Sequence, residues 1–200
     1  MFKRQLVAQR LIVYALLIVC AFAFIAALGY MTDVRLVCFP GINARGDKFD
    51  GAQLYNVFQP YNRELVTASL ISLLASLLLL ITKCHSRRNY YVTNYVVSIG
   101  IPALNAVLAI KSVSTISMCK RKFLTEVDFE KIAVLYEKDI AKQGYSNFSP
   151  SRSTFFFDMA TVAFVLLLIV SVLIVLNLIW KIILMRKEKK LIGSQVEVSA

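Results

Sequence analysis

The sequence predicts an all-α integral membrane protein, a four-helix transmembrane bundle with two structured outer loops. Three observations predict it. Of 200 residues, 58% are hydrophobic and 18% charged, an apolar share above that of ordinary soluble domains. The apolar residues gather into runs of about 18 or more, the length a helix needs to cross a bilayer. The basic residues flank alternate ends of those runs, as membrane insertion requires.

Taken in order, residues 1–10 form a basic segment with Lys3, Arg4 and Arg10. The first span, 11–30, carries no charge. A basic segment before an apolar run resembles a signal peptide, and cleavage near Ala27 would leave three spans. The apolar part exceeds the usual signal length of about 7 to 15 residues and suits a span. The second span, 64–82, is charge-free from Leu65 to Thr82 and rich in serine and leucine. The third, 91–110, is less apolar, with Asn94, Gly100, Pro102 and Asn105, but again has no charge. The fourth, 155–180, has Asp158 near its start as its only charge.

Orientation follows from charge. Residues 1–10, the turn 83–90 and the tail 181–200 hold Lys3, Arg4, Arg10, Lys83, Arg87, Arg88, Lys181, Arg186, Lys187, Lys189 and Lys190 against Glu188 and Glu197. Eleven cations less two acids make nine of the eleven net positive charges. The positive-inside rule places these segments, and so both termini, in the cytoplasm of a plasma-membrane protein. The basic tail can also attract anionic inner-leaflet lipids. Nucleic-acid binding would need a folded basic surface or a motif, and the sequence has neither.

Two loops then face outward, 31–63 and 111–154. The first has turn formers at Pro40-Gly41, Gly46 and Gly51, and a β-prone stretch, Val34 to Phe39, expected as a short strand. Within it lies Arg45-Gly46-Asp47, a tripeptide that integrins recognise, on the outer side. Arg45 and Asp47 serve equally well to solvate a loop tip. In the second loop, Thr125 and Asp128 resemble a capping box opening an amphipathic helix over about 126–143. Phe129, Ile132, Tyr136 and Ile140 share one face of that helix, which would cap the bundle or meet a partner. Asn147-Phe148-Ser149 is a glycosylation acceptor pattern.

Of four cysteines, Cys38 and Cys119 fall outside the spans on the outer side. The export route is oxidising, so a Cys38–Cys119 disulfide is expected. Cys84, among basic residues at the inner end of span two, suits palmitoylation. Cys20 lies in apolar surroundings and reads as packing. Inside the bundle, Ser69, Ser72 and Ser76 line one side of span two and allow close helix approach. The amide of Asn105 needs a partner in hydrocarbon: a span-two serine, or water if span three lines a pore together with Asn94. Lys111 is expected to snorkel outward from the end of span three.

The chemistry these residues offer is thin. His85 is the only histidine and sits in a short basic turn. No catalytic constellation, metal set or cofactor motif can be assembled around it. The expectation is a non-enzymatic protein that acts through its outer loops and helix faces, as a scaffold, cell-adhesion or junction component, or accessory subunit. Its partners would be lipids and another membrane protein or its own copies. The alternative is an oligomeric channel lined by span one or span three. The layout is similar to the claudin and peripheral-myelin type of four-span protein. The first outer loop has one cysteine, Cys38, and no tryptophan, so the likeness assigns no residue a role.

Overall fold

The computed structural model describes residues 2–38, 51–81, 92–126 and 154–198, with backbone alone at 2, 30–38, 51–55, 92–95, 189 and 191–198. All are helical apart from a turn at Thr154: α1 Phe2–Cys38, α2 Gly51–Ile81, α3 Val92–Glu126 and α4 Phe155–Val198. Each helix contains a stretch long and apolar enough to cross a membrane. Helix is the expected outcome, because a segment in hydrocarbon must satisfy its own backbone hydrogen bonds.

The helices form a ring. α1 packs on α2 and α4, and α3 packs on α4 and, more lightly, on α2. Phe58 meets Phe123 near one end of the α2–α3 seam, and Ser76 meets Asn105 further along it. One number rises as the other falls, so the two helices are antiparallel. The start of α1 and the end of α4 lie toward one end of the bundle, called here the terminal end. The opposite one is the far end.

Inward positions recur every three or four residues. On α3 they are Ile101, Asn105, Ala109, Ser112, Ile116, Cys119 and Phe123. That spacing keeps one seam of a straight bundle facing inward. The outward positions are apolar on all four helices: Ile18 is 70% exposed, Ile81 70%, Val107 64% and Ile169 49%. Exposed aliphatic surface on every side, around a core holding serines and asparagines, is the arrangement that lipid stabilises and water does not.

At the far end three phenylalanines from three helices close the bundle. Phe123 stacks edge-on with Phe58 at 6.2 Å and packs at 5.2 Å on Phe157, and all three are fully buried. α1 joins by approaching closely. A Cβ on Gly29 would stand 2.6 Å from the Phe156 ring, so glycine is what admits that ring. The ion pair Lys120–Asp158 ties α3 to α4 beside this cluster, and both side chains are partly exposed on the bundle surface.

Several expectations are corrected. Val34 to Cys38 is the end of α1 and not a strand. α2 begins at Gly51 and α3 continues to Glu126, so residues 51–63 and 111–126 are helix where loop was expected. Lys111 looked like the end of span three because it is the first charge after a long apolar run. Its ammonium instead reaches Glu64 at 2.6 Å. Counted 12 residues from the Ser76–Asn105 pair, Glu64 stands level with Ser117. Lys111 therefore extends its stem along the helix toward the far end, as a snorkelling lysine does, while the helix runs on.

The same continuation overturns the disulfide. Cys119 is 1% exposed and carries no disulfide bond. It lies on the inward face of α3, between Ile116 and Phe123, where a helix places the third and seventh residues. Thr125 is not a cap either. Its hydroxyl donates back to the Arg121 and Lys122 carbonyls within α3. The rest of the expected 126–143 helix lies outside the described residues.

Two predictions follow from the far end. Phe123→Ala is expected to cost about 3–5 kcal/mol by emptying a buried aromatic site, whereas Asp158→Asn stays within about 1 kcal/mol because the pair is exposed at the bundle surface near the far end. Equilibrium unfolding in mixed micelles measures both. Gly29→Leu is expected to cost about 1–3 kcal/mol through overpacking, and Phe156→Ala in the same chain to recover most of it.

Candidate functional site

The interior contains the groups available for chemistry or recognition. Among the described residues they form two layers. The first joins three helices near mid-bundle. Asn105 on α3 donates its amide N–H to Ser76 Oγ on α2 at 3.0 Å. Ser76 Oγ lies 3.4 Å from Cys20 Sγ on α1. The serine oxygen, already accepting from Asn105, can donate its own proton to the sulfur or accept a second hydrogen bond from the thiol. All three residues are fully buried.

These residues meet because of their spacing and size. Ser69, Ser72 and Ser76 fall at three- and four-residue intervals on the inward face of α2, and each is fully buried. Their small side chains leave room for an asparagine from across the seam. Ser69 returns its proton to the Val66 carbonyl at 2.9 Å. Ser72 Oγ and Asn105 Oδ1 are buried without a partner in the protein.

The second layer lies toward the terminal end. Gln5 donates Nε2–H to Gln9 Oε1 at 3.0 Å on α1. Asn177 and Lys181 turn inward from α4, and Ser98 from α3, each at 5% exposure or less. The sequence reading placed Lys181 in the basic tail and did not single out Gln5 or Gln9. A signal was present: Gln5, Gln9 and Val13 continue the inward spacing of Leu16 and Cys20. Asn177 and Lys181 likewise continue that of Ile174. Charge and polarity masked a periodicity that apolar residues made obvious.

Of the expected site residues, Asn105 is fully buried inside the bundle and paired with Ser76. Asn94 lies in the first turn of α3, where the backbone alone is described. Arg45, Asp47, Cys84, Phe129, Ile132, Tyr136, Ile140 and Asn147 lie outside the described residues. Among the described residues, no group of three His, Cys, Asp or Glu side chains is placed to hold a metal ion.

Lipid makes the Asn105–Ser76 contact count, though only modestly. Hydrogen bonds between membrane helices average about 0.6 kcal/mol and reach about 1.7. A double-mutant cycle of Asn105→Ala and Ser76→Ala is expected to give a coupling of about 1 kcal/mol by steric-trapping unfolding in bicelles. Purely additive losses would mean that the two side chains act separately. Compared with known protein families, curated proteins and solved structures, the chain matches none.

Proposed function

We propose that this four-span membrane protein is a non-enzymatic scaffold, cell-adhesion or junction component, or accessory subunit of the plasma membrane. It acts through its outer segments and the lipid-facing surfaces of its helices. The observation that carries the reading is the filled interior. The bundle's own side chains occupy its axis, from the buried amides at the terminal end to Phe58, Phe123 and Phe157 at the far end. The surfaces left for other molecules are therefore external. Nine of the eleven net positive charges lie on the termini and the turn between spans two and three, which supports a cytoplasmic terminal end near anionic lipid. Partners on this reading are lipids and a second membrane protein or another copy of the chain. Arg45-Gly46-Asp47 would face an integrin only on the outer side.

A ring of subunits around a pore is the competing reading. Such a pore would be lined by the outward faces of α1 or α3. Those faces present Leu11, Ile18 and Ile25, or Val96, Val107 and Ile110. Those residues offer no hydration to ions, and Asn105 points inward; the exposed polar residues of α3 whose side chains are described, such as Lys111, Ser114 and Ser117, fall only in its far half. Direct imaging of the full-length protein in nanodiscs tests the reading. Monomers, dimers or open arrays are expected. Closed rings with a water-accessible axis would overturn it and direct attention to conductance.

A further inference from the structure

Glu64 and Lys111 are the first charges toward the far end after two charge-free stretches, 65–82 and 91–110. They meet at 2.6 Å, and the Lys111 side chain is 67% exposed, so the pair lies on the outer surface of the α2–α3 seam. Charges that end two apolar runs mark the boundary between hydrocarbon and headgroups. Arg63, beside Glu64, is exposed and makes no ion pair among the described residues. The Lys111 ammonium has three N–H groups and one carboxylate beside it, so it can donate further. Two cations against one acid leave one positive charge at this spot.

Below the charges the same side of the seam is apolar and open. Residues seven apart on a helix share a face. From Glu64 that face continues through Ile71 and Leu78, and from Lys111 through Val107, Leu104 and Gly100. All five are exposed. α2 and α3 pack more lightly on each other than the helices of the other three seams do. A Cβ added to Gly100 would meet nothing within 4 Å, so the surface is open there. The eleven residues from Gly100 to Lys111 rise ~16 Å, against ~15 Å for the hydrocarbon of one leaflet.

We propose that the outer side of the α2–α3 seam binds one phospholipid of the far-side leaflet. Its phosphate sits on Lys111 and Arg63, and one acyl chain lies along the seam as far as Gly100. Charge selects this occupant: the single net positive charge matches the single negative charge of a phosphodiester, and both cations donate charge-assisted hydrogen bonds to it. Length selects it too, because the apolar part of the seam is one leaflet deep. A second copy of the chain would bring apolar helix surface to the cations and leave them without an anion. With the termini cytoplasmic, anionic headgroups gather in the opposite leaflet, so the occupant is a zwitterionic phospholipid of the phosphatidylcholine class. The site lies on the bundle surface, so it is compatible with the filled interior. It specifies the lipid partner of the proposed function and rests on the four-span reading alone.

Native mass spectrometry tests the site. Full-length protein is released from micelles carrying dioleoylphosphatidylcholine, and the retained lipid is counted. One phosphatidylcholine per chain is expected. Dioleoylglycerol, with the same chains and no phosphate, is expected to be retained roughly 10-fold less, as is phosphatidylcholine by Arg63→Ala with Lys111→Ala, since each loses the charge-assisted contacts. Lys111→Arg is expected to keep the lipid. Gly100→Leu leaves both cations in place and meets no neighbour, yet fills the path of the acyl chain, so retention is expected to fall by roughly 5-fold. Unfolding midpoints in the same micelles separate loss of lipid from loss of fold, and Gly100→Leu carries the test if the double variant does not fold. Equal retention of the two lipids, or unchanged retention in the folded variants, would overturn the site. So would full displacement by millimolar inorganic phosphate, which would make it a site for the anion alone. Dimers in lipid-free protein that Gly100→Leu abolishes would assign the seam to a second copy instead. Insertion of every variant into proteoliposomes checks the four-span reading separately, so its failure and that of the lipid site are distinguishable.

Discussion

Hydrocarbon offers no hydrogen bonds, and that absence governs the rest of the structure. Each backbone group inside the membrane must be satisfied by its own helix, and each polar side chain must turn inward to find a partner. The bundle is therefore apolar on its surface and mixed within. Asn105, Ser76 and Cys20 meet because lipid leaves them nowhere else to go, and in meeting they join α1, α2 and α3 at one height. In water the same surface would drive aggregation, since Ile18, Val107 and their counterparts face outward on every helix.

Different physics holds the two ends. At the far end, large rigid rings fill space, and their contribution comes from burial and shape: Phe58, Phe123 and Phe157 interlock, and Gly29 makes way for Phe156. Toward the terminal end the inward positions become polar, with Gln5, Gln9, Ser98, Asn177 and Lys181 on three helices. Burial there is costly unless hydrogen bonds compensate.

Where sequence and structure disagree, side-chain reach and helix continuation explain the difference. A charge after an apolar run reads as a membrane boundary, yet Lys111 carries its charge along the helix to Glu64 and the helix proceeds to Glu126. Once α3 continues, Cys119 becomes a core residue and Thr125 a hydroxyl in the last described turn of α3, bonded to the turn before it. The β-propensity of Val34 to Phe39 was likewise overridden through Cys38 by propagation of α1, because extending an existing helix costs far less than starting a new element. The serine stripe of α2 was legible, since its spacing matches the helical repeat. The partner of Asn105 was legible only as a serine of that stripe, because register between helices depends on packing along the whole seam.

Four long apolar runs, with Asp158 the only charge within them, and their flanking cations were enough to determine a helical, four-span protein with its ends on one side. Membrane thickness, backbone hydrogen bonding and charge asymmetry act on local sequence alone. Tertiary structure decided which residues meet: Ser76 rather than Ser69 for Asn105, a packed thiol rather than a disulfide at Cys119, a buried Lys181 rather than an exposed one. Those outcomes depend on the register and rotation of four helices against one another, and both are set by many side chains packing at once.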